Sequence, residues 1–166
     1  MKTNKKDLIK VELPILKPLP LTLEFVKKIK GDNKLETNVI MLIAEDGDDL
    51  FFVNCLQKED TEQTLINSLE IDVDQGILDD GSFKKIELCD TINLDVIYKM
   101  DRNELITKID WLKDYSSDEL PYLAIKDQLI IVDKISDLLA DDNTKPKLVL
   151  IRKKTRLQSP TSSAEE

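Results

Sequence analysis

The sequence predicts an α+β fold: a small three-stranded β-sheet with packed helices, an extra N-terminal strand and a C-terminal strand. Three observations carry that expectation. Met41–Val53 sets two apolar runs on either side of Asp46-Gly47, the pattern of a β-hairpin. Asp101-Arg102-Asn103-Glu104 is a short polar cap with Glu three residues on, ahead of apolar residues at helical spacing. Lys126–Ala140 holds Leu129, Ile130, Ile131, Val132, Ile135, Leu138 and Leu139, so a helix there is apolar on most of its sides.

Taken in order, residues 1–20 read as an extended arm, because Pro14, Pro18 and Pro20 forbid a continuous helix. Leu21, Leu23 and Phe25 alternate with Thr22 and Glu24, which predicts a strand, and Gly31-Asp32-Asn33 a turn. The hairpin spans Asn38–Ala44 and Leu50–Leu56. Its turn falls on Asp46-Gly47, since Gly lacks Cβ and Asp tolerates positive φ. Asp60 or Thr61 caps a helix reaching Leu69, with Leu65, Ile66 and Leu69 on one face. Residues 72–82 form a polar loop, and Phe83, Ile86 and Leu88 a third strand. Residues 91–98 fit helix or strand equally. The capped helix after Asp101 carries Leu105, Ile106, Ile109 and Leu112 on one face, with Trp111 beside it. Residues 116–121 are a loop, and 126–140 a helix either buried or shared with a partner. Lys147–Ile151 is a last strand. The expected organisation is an arm (1–20), one domain (21–152) and a disordered polar tail (153–166).

The composition narrows what such a domain does. The chain has 166 residues, 41% hydrophobic and 34% charged, with no histidine and two cysteines, Cys55 and Cys89. Without histidine there is no Ser-His-Asp or Cys-His arrangement and no commonest zinc ligand. The cysteines read as buried thiols in a reducing compartment, with a pairing of the two left open by the sequence. No window approaches the roughly 18 consecutive apolar residues of a membrane span, and no apolar run follows the basic start as in a secretory signal. The net charge is −9: residues 1–10 carry +3, residues 145–156 carry +6 and the last ten −2, which leaves −16 on residues 11–144. An acidic body repels phosphate backbones, so direct nucleic-acid binding is not expected; the charge keeps the domain soluble, or suits a basic protein partner.

Specific motifs add little chemistry. Five carboxylates in 72–87 invite a calcium reading, but counting back from Gly76 or Gly81 puts Ile71 or Gly76 at the first ligand position. The four glycines form no phosphate-binding loop, and 5% aromatic residues supply no stacking platform. Ser159-Pro160 fits a proline-directed kinase. Arg152-Lys153-Lys154-Thr155-Arg156 reads as a nuclear import or anion-binding run, or as a solubilising strand end. Neither a catalytic group, a cofactor nor a metal is expected.

One resemblance joins these pieces. Val39-Ile40-Met41-Leu42-Ile43 through Asp46-Gly47 to Phe51-Phe52-Val53 is similar to the opening strand, turn and second strand of the BTB/POZ fold in the elongin C and Skp-type cullin adaptor family. Thr64-Leu65-Ile66-Asn67-Ser68-Leu69 resembles its next helix, Phe83–Leu88 and Val96-Ile97 its third strand and following helix, and Pro121–Leu139 its late helix pair. The likeness covers residues 38–140. Glu87 and Cys89 stand where the family has a proline-rich segment, and the first forty residues match the extra strand of longer, dimerising members. The resemblance implies a non-catalytic protein–protein interaction adaptor in a cullin-type ubiquitin ligase, cytoplasmic or nuclear. The over-apolar segment places an apolar partner helix, in a groove, against Leu129, Ile130, Val132 and Ile135, with Trp111 and Tyr122 as interface aromatics. The alternative is a structural subunit of a nuclear or chromatin-associated complex without that fold. Oligomeric state is not legible in the sequence.

Overall fold

The computed structural model describes residues 12–29, 34–60, 65–110 and 119–152. Its centre is a long hairpin of β2 (Val39–Asp46) and β3 (Asp49–Leu56), in register from Val39↔Cys55 to Asp46↔Asp49, with a bulge between Leu42 and Ala44. The turn lies one residue later than expected. Asp46 closes β2, and Gly47 alone in this turn has positive φ, at 64°. One positive φ at the first central position is the II′ pattern, which selects glycine there. Arg102 locks the turn: its N–H donates to the Asp48 carbonyl (2.8 Å), and its guanidinium donates to Glu45 and the Gly47 carbonyl.

Among the described residues the sheet has seven strands, which corrects the expected three-stranded sheet with packed helices. β1 (Pro18–Pro20) lies on β2. β3 forks: its first half pairs with β6 (Val96–Asp101), and its end with β5 (Thr91–Asn93), which carries β4 (Ser68–Glu70). β7 (Lys147–Ile151), at the residues expected, pairs with β6. Every pairing is antiparallel except β6–β7. The described residues contain three α-helices: α1 (Leu23–Lys28), α2 (Arg102–Ile106) and α3 (Ile125–Ala140). The sheet therefore dominates. Three of its strands are only three residues long, too short to show a period in sequence.

Other expectations change for local reasons. Residues 23–28 are helix, not strand: Leu21 and Phe25, four apart, are buried, while Leu23 faces solvent. The helix expected over 61–69 gives way to β4, where Leu69 pairs with Ile92 and the Asp95 carboxylate accepts the N–H groups of Ile66 (3.0 Å) and Asn67 (2.8 Å); residues 61–64 lie outside the described residues. Residues 83–88 form no strand. They are held by Lys84 N–H to the Gly76 carbonyl (2.9 Å) and Ile86 N–H to that of Val73 (2.8 Å). A Cβ on Gly76 would collide with the Lys84 carbonyl, so this close approach needs glycine. Asp101 does cap α2, its carboxylate accepting from Asn103 (2.9 Å) and Glu104 (3.3 Å). The helix stops at Ile106, however, and Ile109 bridges to Leu21 as a strand would.

Both faces of the sheet are covered, which explains the unbroken apolar run Val39–Ile43. One face buries Leu19, Ile40, Leu42, Leu50, Phe52, Tyr98, Met100 and Leu105. The other buries Val39, Met41, Val53, Cys55, Ile92 and Ile97 beneath Ile131 and Leu138 of α3.

Tyr98 carries a titration that tests this burial. Its ring stacks on Phe52 with centroids 5.3 Å apart, and its hydroxyl donates to the Lys34 carbonyl at 3.3 Å. Burial, then the Glu36 carboxylate, push the phenol up to about 12. An unfolded tyrosine titrates near 10. The folded state thus holds the proton more tightly; this contribution is complete below about pH 10 and is lost as pH rises toward about 12. Denaturant unfolding across that window should show stability falling more steeply for the parent chain than for Tyr98→Phe. Equal slopes would mean that the hydroxyl is solvated.

Candidate protein-binding surface

The surface is built on α3. Its first turn is fixed by Asp127, a buried carboxylate that accepts the N–H of Asp72 at 2.8 Å, while Lys126 pairs with the Asp72 carboxylate at 3.1 Å. An acidic group in a first helical turn also meets the positive end of the helix dipole. Its other end is closed by Thr144, whose hydroxyl donates to the carbonyls of Leu138 (3.0 Å) and Asp141 (3.2 Å). Asp127, Ile131, Ile135 and Leu138 form the inner face.

That face leaves a second apolar stripe uncovered. Ile125, Leu129, Val132 and Leu139 recur at helical spacing and are exposed, Leu129 at 66%. At 1.5 Å per residue the stripe runs about 20 Å. Ile130 is exposed on the opposite flank. The sheet carries exposed apolar side chains of its own. Leu148 and Leu150 of β7 lie in register with Ile97 and Lys99, on the face that α3 covers, and both are exposed. Single exposed leucines are ordinary, but four large apolar side chains in one stripe along a helix have the makings of a contact surface.

The sequence-selected residues separate accordingly. Leu129, Ile130 and Val132 lie in solvent, whereas Ile135 is half-buried against the core. Tyr122 is not on the stripe. It exchanges backbone hydrogen bonds with Ile77 (2.9 and 3.1 Å), and the Lys17 ammonium sits 4.4 Å from its ring centroid. Trp111 lies outside the described residues. Ile125, Leu139, Leu148 and Leu150 were not singled out. The signal for Ile125 and Leu139 was the i, i+4, i+7, i+14 series; Leu148 and Leu150 carried none, because 148–151 is an unbroken apolar run.

Other features bring no chemistry together. A cavity of about 240 Å³ lies between Pro18, Lys84–Leu88 and Glu119–Pro121, below the usual range of ligand pockets, and the Lys84 ammonium at its wall donates to the Glu119 carbonyl at 2.7 Å. Cys55 and Cys89 are free, buried thiols; burial, then the hydrogen bond with Cys89, push the Cys55 thiol up, which leaves it a poor nucleophile. Among the described residues no group of three or more Cys, Asp or Glu is placed to hold a metal ion, and no helix is long and apolar enough to cross a membrane. Compared with known proteins, the chain matches no family model, no curated protein and no solved structure.

Proposed function

We propose that the protein is a non-catalytic interaction module that binds another protein across α3. The observation that supports this is the exposed stripe Ile125, Leu129, Val132 and Leu139 on a helix whose opposite face already packs on the sheet. A partner helix laid along it would remove four large side chains from water, each worth about 1.5–3 kcal/mol on full burial. The partner's rim is basic, to match the −16 charge of residues 11–144. Membership of a cullin-type ubiquitin ligase is the more specific form of this proposal; it rests on the resemblance at the hairpin, Val39–Val53, since residues 68–70 and 96–101 are strands and 83–88 form none.

The test is affinity purification with the parent chain and with Leu129→Asp/Val132→Asp. Both positions are exposed, so the double variant should keep its unfolding midpoint. It should lose the captured protein, with binding at least roughly tenfold weaker as two apolar anchors are removed. Unchanged capture would refute the α3 reading. Recovery of a cullin or of a BC-box or F-box protein supports the ligase form; recovery of chromatin proteins supports a nuclear complex instead.

A further inference from the structure

Among the described residues three strands end the sheet: β1, β4 and β7. Two of these edges are blunted. β1 has proline at two of its three positions, and β4 is three residues long. Proline and brevity both discourage addition of a further strand. β7 has neither protection: it is five residues long, lacks proline, and pairs only with β6 among the described residues.

The geometry of that edge follows from one hydrogen bond. Lys147 N–H donates to the Asp95 carbonyl at 3.0 Å. Backbone groups alternate sides along a strand, so those of Val149 and Ile151 also face β6, and those of Leu148 and Leu150 face outward. The same two residues carry the exposed side chains, Leu148 at 55% and Leu150 at 45%. The edge thus offers outward donors and acceptors with two apolar side chains beside them. Its ends are basic. Lys147 and Arg152 are exposed, and the sequence continues Lys153-Lys154-Thr155-Arg156. With charges beyond roughly 8 Å screened at physiological salt, this local excess governs what approaches the edge, not the acidic body.

We propose that the outer edge of β7 takes an acidic, extended peptide of another protein as an added strand, with alternate apolar residues on Leu148 and Leu150 and carboxylates at Lys147 and Arg152. This goes beyond the α3 reading, whose partner has a basic rim, by naming a second, acidic ligand at another edge of the domain. Charge argues against the other occupants. A second copy paired antiparallel about Val149 would set Lys147 against Ile151 of the copy, beside its Arg152, and like charges across strands are unfavourable. Residues 1–10 carry +3 and are repelled likewise. The last ten residues are acidic but hold one bulky apolar side chain, Leu157, and so cannot supply an alternating pair.

The experiment uses the full chain and a fluorescent peptide of alternating valine and threonine with glutamates at both ends, followed by anisotropy and amide hydrogen exchange. The glutamate-flanked peptide should bind, more weakly as salt rises, and a lysine-flanked version should not. On binding, exchange should slow at the Leu148 and Leu150 amides and change little at Val149. Lys147→Glu/Arg152→Glu should weaken binding roughly thirtyfold, as two exposed ion pairs at the upper end of their usual worth would. Leu150→Pro, which removes an outward N–H and spares those facing β6, should abolish it. Three results would overturn the proposal. One is equal binding of both peptides. Another is protection of Leu148 and Leu150 without peptide at every protein concentration, which would mean that the chain's own segment fills the edge. The last is protection that grows with protein concentration, which would mean a second copy. A synthetic peptide leaves α3 out of the readout, so failure here and failure of the α3 stripe are separable.

Discussion

Phe52→Ala should lower the stability of the domain by about 3–5 kcal/mol, the cost of truncating a large aromatic side chain in a packed core. Phe52 is fully buried, within the cluster that holds Ile40, Leu42, Leu50 and Met100, and its ring stacks on Tyr98 at an interplanar angle of 13°. It sits on β3 where that strand meets β2 and β6 at once, opposite Leu42 and Tyr98. The cavity would open at the middle of three strands, where collapse of the walls is most restricted. Denaturant unfolding at neutral pH checks this. A loss below about 1 kcal/mol, far under the usual range for such truncations, would mean that the two halves of the sheet are not packed as described.

Asn54→Leu should be the other large loss, at about 2–4 kcal/mol, because it strands several polar groups at once. The Asn54 side chain is buried between β2 and the segment before it. Its amide donates to Thr37 Oγ1 (2.9 Å) and the Val39 carbonyl (2.8 Å), and its oxygen accepts the Glu36 N–H (2.7 Å). The Thr37 hydroxyl in turn donates to the Cys55 carbonyl at 2.6 Å. Leucine keeps the branching at Cγ but removes every hydrogen bond, and its larger methyl groups add some overpacking to the loss. Asn54→Asp should also lose stability, since a carboxylate cannot donate to Thr37 or Val39. If Asn54→Leu unfolds at the parent midpoint, the network contributes nothing net. Such a result would place water among these groups.

The hairpin, α3 and β7 were legible because each carries its own signal over enough residues. Gly47 is adapted to a turn, Val39–Ile43 and Leu50–Leu56 are rich in strand formers, and α3 keeps helical spacing for its whole length. The cap at Asp101 was legible for the same reason, as its partners lie two and three residues on. What failed depended on distant partners. Leu69 looks helical beside Leu65 and Ile66, yet is strand because Ile92 lies opposite and Asp95 holds the loop before it. Residues 91–98 remained open between helix and strand, and the forking of β3 between β5 and β6 settled them as two strands.

The sequence by itself determined the absence of histidine, the uneven charge, and the excess of apolar residues in 125–140. These are properties of residue types and need no partner to be true. Only the tertiary structure decided how that excess is divided. Sequence spacing made Leu129, Ile130, Val132 and Ile135 equivalent, but the sheet presses against one side of α3 alone. It half-buries Ile135 and leaves the other three in water. The same holds for β7: its five residues read as a strand in isolation, and whether one edge or both are paired depends on where β6 runs. Burial and edge exposure are relations between segments far apart in the chain, and local sequence carries no record of them.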